Sequence, residues 1–107
     1  MKKTLKVISE TVANANDMFY ERNKNIDTLM GIMDEALRKQ GMQADAITID
    51  CVTLDKKIVL VIHDSKPEFV NIALGDKAGE IQSSSEHLLS EINASKMLDM
   101  MEGYFLN

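Results

Sequence analysis

Lys57-Ile58-Val59-Leu60-Val61-Ile62-His63 holds the only uninterrupted run of five large aliphatic residues in the chain. Four of the five are β-branched, stiff at χ1 and better suited to a pleated surface than to a helix. The run is strand length, and an unbroken apolar strand implies burial on both faces. Ile58–Ile62 therefore predicts a central strand that something must cover on each side.

The neighbouring segments fit that role. Ile47, Ile49 and Cys51 alternate with Thr48 and Asp50, the period of a half-buried strand. A two-residue loop at Asp55-Lys56 would set Cys51 opposite Leu60 and Ile49 opposite Ile62. One face then gathers Ile47, Ile49, Cys51, Ile58, Leu60 and Ile62. The other receives Thr48, Asp50, Val52, Val59, Val61 and His63. Phe69–Leu74 supplies a third strand after Pro67, the only proline, which suits a turn and is costly in mid-sheet. A three-residue loop places Val70, Ile72 and Leu74 on the richer face. The expectation is a three-stranded antiparallel meander over about 46–54, 57–63 and 69–74, in an α+β fold. The second face, with Val59 and Val61, is too apolar for a fully wet surface, which points to a second cover such as another subunit.

In the first forty residues, Leu5, Ile8, Val12, Ala15, Phe19, Arg22, Ile26, Leu29, Met33 and Ala36 fall at alternating spacings of three and four, a heptad seam. One continuous helix over 3–40 would be roughly 55 Å long, more than a small domain can cover. The seam predicts pairing with another chain, with Leu5, Ile8, Val12, Phe19, Ile26, Leu29 and Met33 as interface candidates beside Val59 and Val61. The same stripe would serve a helix lying on the chain's own sheet. Asn23-Lys24-Asn25-Ile26-Asp27 offers a kink or a break at 23–26. Gly41, just after Arg38 and Lys39, makes a good stop.

At the other end, Gly75–Gly79 reads as a loop, and Ile81 as a short extension of the sheet. Ser83-x-x-Glu86 matches a capping box, and Leu88, Leu89, Ile92, Met97, Leu98, Met101 and Phe105 form an interrupted helical stripe. The reading is a C-terminal helix or helix pair over about 84–103, with a break near Asn93–Ser95, Gly103 as the stop, and Tyr104–Leu106 as a docked tail.

The chain has 107 residues, the size of one domain spanning 1–107. Its net charge is −5, and residues 76–107 hold six acids against two bases. No basic patch stands out, which argues against a nucleic-acid binder. A nucleic-acid-associated dimer would have to use Lys2, Lys3, Lys6, Arg22 and Lys24. The lone Cys51 excludes an intrachain disulfide and suits a reducing cytoplasm. Lys2, Lys3 and Ala13-Asn14-Ala15 resemble a signal peptide, but Lys6 and Glu10 interrupt its apolar core. No run approaches a membrane span.

Catalytic signals are weak. His63, diagonal to Asp50 in the register above, could be a carboxylate-held acid/base. Cys51 would point away from His63 and reads as an apolar filler. The carboxylates lack metal-ligand spacing, and Gly75–Gly79 lacks a phosphate-binding pattern, so neither metal nor cofactor is expected. Eight methionines, among them Met30, Met33, Met97, Met100 and Met101, could serve a permissive binding surface or simply fill the core. The expectation is a small, acidic, non-enzymatic homodimer that binds protein.

Overall fold

The computed structural model describes residues 2–106. The element order is α1 (Lys3–Arg22), β1 (Thr28–Met33), α2 (Ala36–Lys39), β2 (Ala44–Cys51), β3 (Lys56–His63), β4 (Phe69–Gly75), β5 (Ile81–Leu88), a 3₁₀ turn (Leu89–Glu91) and α3 (Ala94–Phe105). The five strands form one antiparallel sheet in the order β1-β2-β3-β4-β5. Helices α1 and α3 pack against each other and lie on one face of it.

Period-two alternation built the core. Ile47, Ile49, Cys51, Ile58, Leu60, Ile62, Val70 and Ile72 are all buried under the helices, as their alternation required. Ile49 lies opposite Ile58, and Ile47 opposite Leu60. The β2–β3 pairing is therefore four residues away from the expected register, because Val52–Asp55 forms the connection in place of a two-residue loop at Asp55-Lys56. An even shift leaves every side chain on its expected face. Ile58 faces Leu74 and Leu60 faces Ile72, so β4 also presents its apolar residues to the helix side as expected.

The long helix over 3–40 is not formed. α1 ends at Arg22, where the Asn23 backbone N–H donates to the Phe19 carbonyl at 2.8 Å and the Asn23 side-chain amide donates to the same oxygen at 3.2 Å. The backbone bond is the last regular one of the helix; the Asn23 backbone, at φ −135° and ψ 66°, then leaves helical geometry, and its side-chain amide gives the Phe19 carbonyl a second donor. The seam's first helix ends at Arg22, and its apolar residues Leu5, Ile8, Val12, Ala15 and Phe19 are buried in the chain's own core. The longest dimension of the fold is 37 Å, shorter than the continuous helix would have been. Leu29 and Met33 belong instead to β1, paired with β2 at Asp50 and Ala46. Gly41, at φ +89°, reverses the chain just after the short α2.

The helix expected from residue 84 is also replaced. Ile81–Leu88 is a strand, and α3 starts at Ala94, where the Asn93 side chain accepts from the Lys96 N–H at 2.8 Å. The competing demand is the backbone of β4: its outer N–H and C=O groups would be left without partners if 81–88 were helical. α3 runs through Gly103 to Phe105, so Tyr104 and Phe105 are helical residues and not a tail. Met97, Leu98, Met101 and Phe105 make its buried face, as their spacing predicted. No described helix is long and apolar enough to cross a membrane.

An ion cluster ties α2 to the sheet. Arg38 donates to both oxygens of Asp45 at 2.9 and 3.1 Å and to both oxygens of Asp64 at 2.7 and 2.9 Å, while Lys2 reaches Asp64 at 2.6 Å. Hydrogen bonds from Arg38, then Lys2, hold the Asp64 carboxyl well below the usual carboxylate range. A depressed carboxylate contributes stability above its unfolded-state value, near 4, and loses it as pH falls toward the folded value. The melting-temperature gap between wild type and Asp64→Asn should thus be full at neutral pH and should narrow below about pH 4. A gap that stays constant from pH 6 to pH 2, measured by thermal melts, would show that the cluster contributes nothing through its charge.

Candidate interaction face

The register assigns each strand residue to one side of the sheet. On the side away from the helices, four rows cross the strands. The first runs Leu29, Asp50, Lys57, Gly75, Ile81. The second runs Gly31, Thr48, Val59, Ala73, Ser84. The third runs Met33, Ala46, Val61, Asn71, Glu86. The last, shorter row is Ala44, His63, Phe69, Leu88. α1 and α3 lie on the opposite side; on this side Val59, Val61 and Ala73 are half-buried, whereas Ala44, Ala46 and Thr48 are buried among their neighbours. The middle of this side is apolar and low in relief: Ala46, Val59, Val61 and Ala73, with Met33 beside them.

Two features shape the face. Gly31 sits directly opposite Thr48, and a Cβ there would come within 2.8 Å of the Thr48 hydroxyl oxygen. The missing side chain lets Thr48 lean across the edge strand. At the other side the 76–80 connection curls up beside Val59, Val61 and Ala73, with Gly79 at φ +95°, and encloses a shallow cavity of about 170 Å³ with Ile81 on its wall. Charge is confined to the margins. Lys57 and Asp50 face each other at 3.9 Å, and Glu86 meets Lys66 at 3.5 Å. An apolar centre with a charged rim is the arrangement of a protein-contact patch.

A second concavity, about 390 Å³, lies on the helix side where α3 stops short of β5. Its floor is Ile72, Leu74, Ser83, Ser85 and His87, and its wall is Met100 and Tyr104. Ser85 Oγ lies 2.7 Å from His87 Nε2. Glu86 points to the opposite face, so no carboxylate among the described residues orients His87 for base catalysis. The Tyr104 hydroxyl donates to the Gly75 carbonyl at 2.7 Å, and burial pushes its phenol pKa up.

The residues singled out for chemistry are scattered. His63 is opposite Ala44, and Asp50 is opposite Lys57. Lys57 and His63 are six positions apart on β3, about 20 Å, so the His63–Asp50 pair does not form. Cys51 is fully buried on the helix side. Of the interface candidates, Leu5, Ile8, Val12 and Phe19 are core, Ile26 packs partly against it, and Leu29, Met33, Val59 and Val61 lie on the open face. Met97 and Met101 fill the core, whereas Met100 lines the groove. Lys2, Lys3 and Lys6 are at one end of α1, with Arg22 at the other end and Lys24 just beyond it, about 30 Å away. Arg22 is paired with Glu102 at 3.1 Å. Among the described residues, no cluster of His, Cys, Asp and Glu could hold a metal ion.

No protein-family model, curated protein or solved structure matches this chain.

Proposed function

We propose that this protein works by binding protein through its sheet, as a homodimer and without catalysis. One observation carries the reading: α1 and α3 lie on one side, while the other side keeps the half-buried Val59, Val61 and Ala73 at its centre, sheltered only by the 76–80 connection at one margin. Burial of such surface is the main driving force for association. The face spans five strands at about 4.8 Å and four rows at about 6.7 Å, so its area is roughly 500 Å². A partner protein laid on a face of that size buries about 1,000 Å² in total, near the threshold for a specific contact. Among the described residues, His87 meets Ser85 and not a carboxylate, and His63 lies far from Asp50, so neither histidine supports a catalytic reading.

Light scattering at micromolar concentration should return about twice the 12.0 kDa chain mass. A single-chain mass at every concentration would remove the homodimer from this reading.

A further inference from the structure

The two edges of the sheet differ in kind. β5 carries Ser83, Ser84, Ser85, Glu86 and His87, and its pairing with β4 shifts register at Leu74/Gly75. Polar side chains, a charge and a register irregularity are the devices that keep an edge from pairing. β1 reads Thr28-Leu29-Met30-Gly31-Ile32-Met33, with no charge, no proline and a regular register. Leu29 is 64% exposed and Ile32 42%. An uncharged, apolar, regular edge is a template for another strand.

The backbone of β1 is also aimed for it. Val52 N–H donates to Asp27 C=O, and Asp64 N–H donates to Gln43 C=O. Alternation along an antiparallel ladder then makes Leu29, Gly31 and Met33 the residues bonded to β2. The N–H and C=O groups of Thr28, Met30 and Ile32 point out from the sheet.

We infer that β1 is the dimer seam: a second copy of this chain pairs with it antiparallel across a two-fold axis, giving one ten-stranded sheet. This rests on the homodimer reading and names its contact. A two-fold with continuous faces requires partners of like parity. Centring it on Met30 sets Thr28 of each copy opposite Ile32 of the other. Leu29 of each then lies beside the Gly31 of the other, which has no side chain of its own, and meets there the Thr48 side chain that leans across Gly31. Charge supports the same choice. The exposed Lys24 before β1 of one copy comes beside Asp34 and Glu35 after β1 of the other. Centring on Gly31 would instead oppose Asp27 to Glu35, like charges that destabilise a pair. Three facing pairs exchange about six hydrogen bonds, which suits a seam of roughly 600–1,200 Å², the low end of stable contacts. The open face survives in this dimer and doubles in extent, free for a protein partner.

The experiment compares wild type, Ile32→Pro, Ile32→Lys and Val61→Glu by light scattering across a dilution series, with circular dichroism confirming the fold. Proline at Ile32 removes an N–H that makes no bond to β2, and lysine is a common guard of free edges. The expected result is a dimer for wild type and Val61→Glu, with a dissociation constant at least about tenfold weaker for either Ile32 variant. Should Ile32→Pro fail to fold, Ile32→Lys decides. A dimer that persists in the folded Ile32 variant, or that is lost only in Val61→Glu, overturns the seam and leaves the homodimer standing. A monomeric wild type overturns both. Amide exchange gives an independent reading: Thr28, Met30 and Ile32 should be protected at high concentration and exchange freely on dilution.

Discussion

Phe19→Ala should destabilise the chain by about 3–5 kcal/mol, the cost of emptying a large, fully buried aromatic site. Phe19 is 0% exposed and stands edge-on to Phe105, with ring centroids 5.9 Å apart. It belongs to α1 and Phe105 to α3, so the pair joins the two helices above the sheet. Beside it Glu102 receives Arg22 at 3.1 Å and the Asn23 amide at 3.1 Å, closing the rim of the same contact. A domain of this size has only about 5–15 kcal/mol in hand, and each kcal/mol moves the melting temperature by about 4–8 °C. The melt of Phe19→Ala should therefore fall by well over 10 °C, if it folds at all. Tyr20, one position on and half exposed, is the control; Tyr20→Ala should stay within about 1 kcal/mol. In a double-mutant cycle, Phe19→Ala and Phe105→Ala should couple by about 0.5–1.5 kcal/mol, the usual worth of an aromatic pair. If both single variants melt near wild type, the helix pair is not what holds the layer on the sheet.

The faces of β2, β3 and β4 were legible because the side-chain period of two survives any even error in register, and the β2–β3 error was four residues. The stripe Leu5–Phe19 was legible as a helix face. Its apparent continuation through Ile26, Leu29 and Met33 was a coincidence of spacing. In Leu29-Met30-Gly31-Ile32-Met33 both faces of the strand are apolar, so period two leaves no contrast and the helical spacing fits as well. The stronger signal was Asn23-Lys24-Asn25, which caps and breaks, and it outranks a stripe that merely persists.

β5 was hidden for the opposite reason. Its helix-side residues are Ser83, Ser85 and His87, because α3 stops short of them and leaves the groove. A strand whose inner side is not covered carries no hydrophobic alternation. The Ser83-x-x-Glu86 pattern then reads as a cap, while the real cap, Asn93, lies ten residues on. The open face itself was half visible. Val59 and Val61 announced a second apolar side, but the contributions of Met33, Ala46 and Ala73 depend on neighbours in the sheet that single-strand patterns do not specify.

Gly75→Ala should cost about 1–3 kcal/mol and act mainly on the β4–β5 edge. A Cβ at Gly75 would lie 2.4 Å from the Glu80 carbonyl oxygen and 3.2 Å from the Ile81 Cα, both backbone atoms that cannot swing aside. The close approach arises where the register shifts, as the Asp76 N–H donates to Glu80 C=O and Gly75 faces Ile81. Glycine is what allows a backbone to pass this near. The Gly75 carbonyl also accepts the Tyr104 hydroxyl at 2.7 Å, so movement here loosens the C-terminal turn of α3. Overpacking against backbone is relieved only by shifting one strand; of the two strands that meet here, β5 is an edge bonded on one side only, whereas β4 is held on both. Amide exchange should therefore quicken from Ser83 to Leu88 well before the β2–β3 core responds, and near-ultraviolet signals of Tyr104 should change. Gly103→Ala, where a Cβ meets nothing within 4 Å, is the matched control and should be neutral or slightly stabilising in its helix. Uniform loss of protection across all five strands would mean that the sheet opens as one unit, and that the β5 edge is not a separately weak element beside the groove.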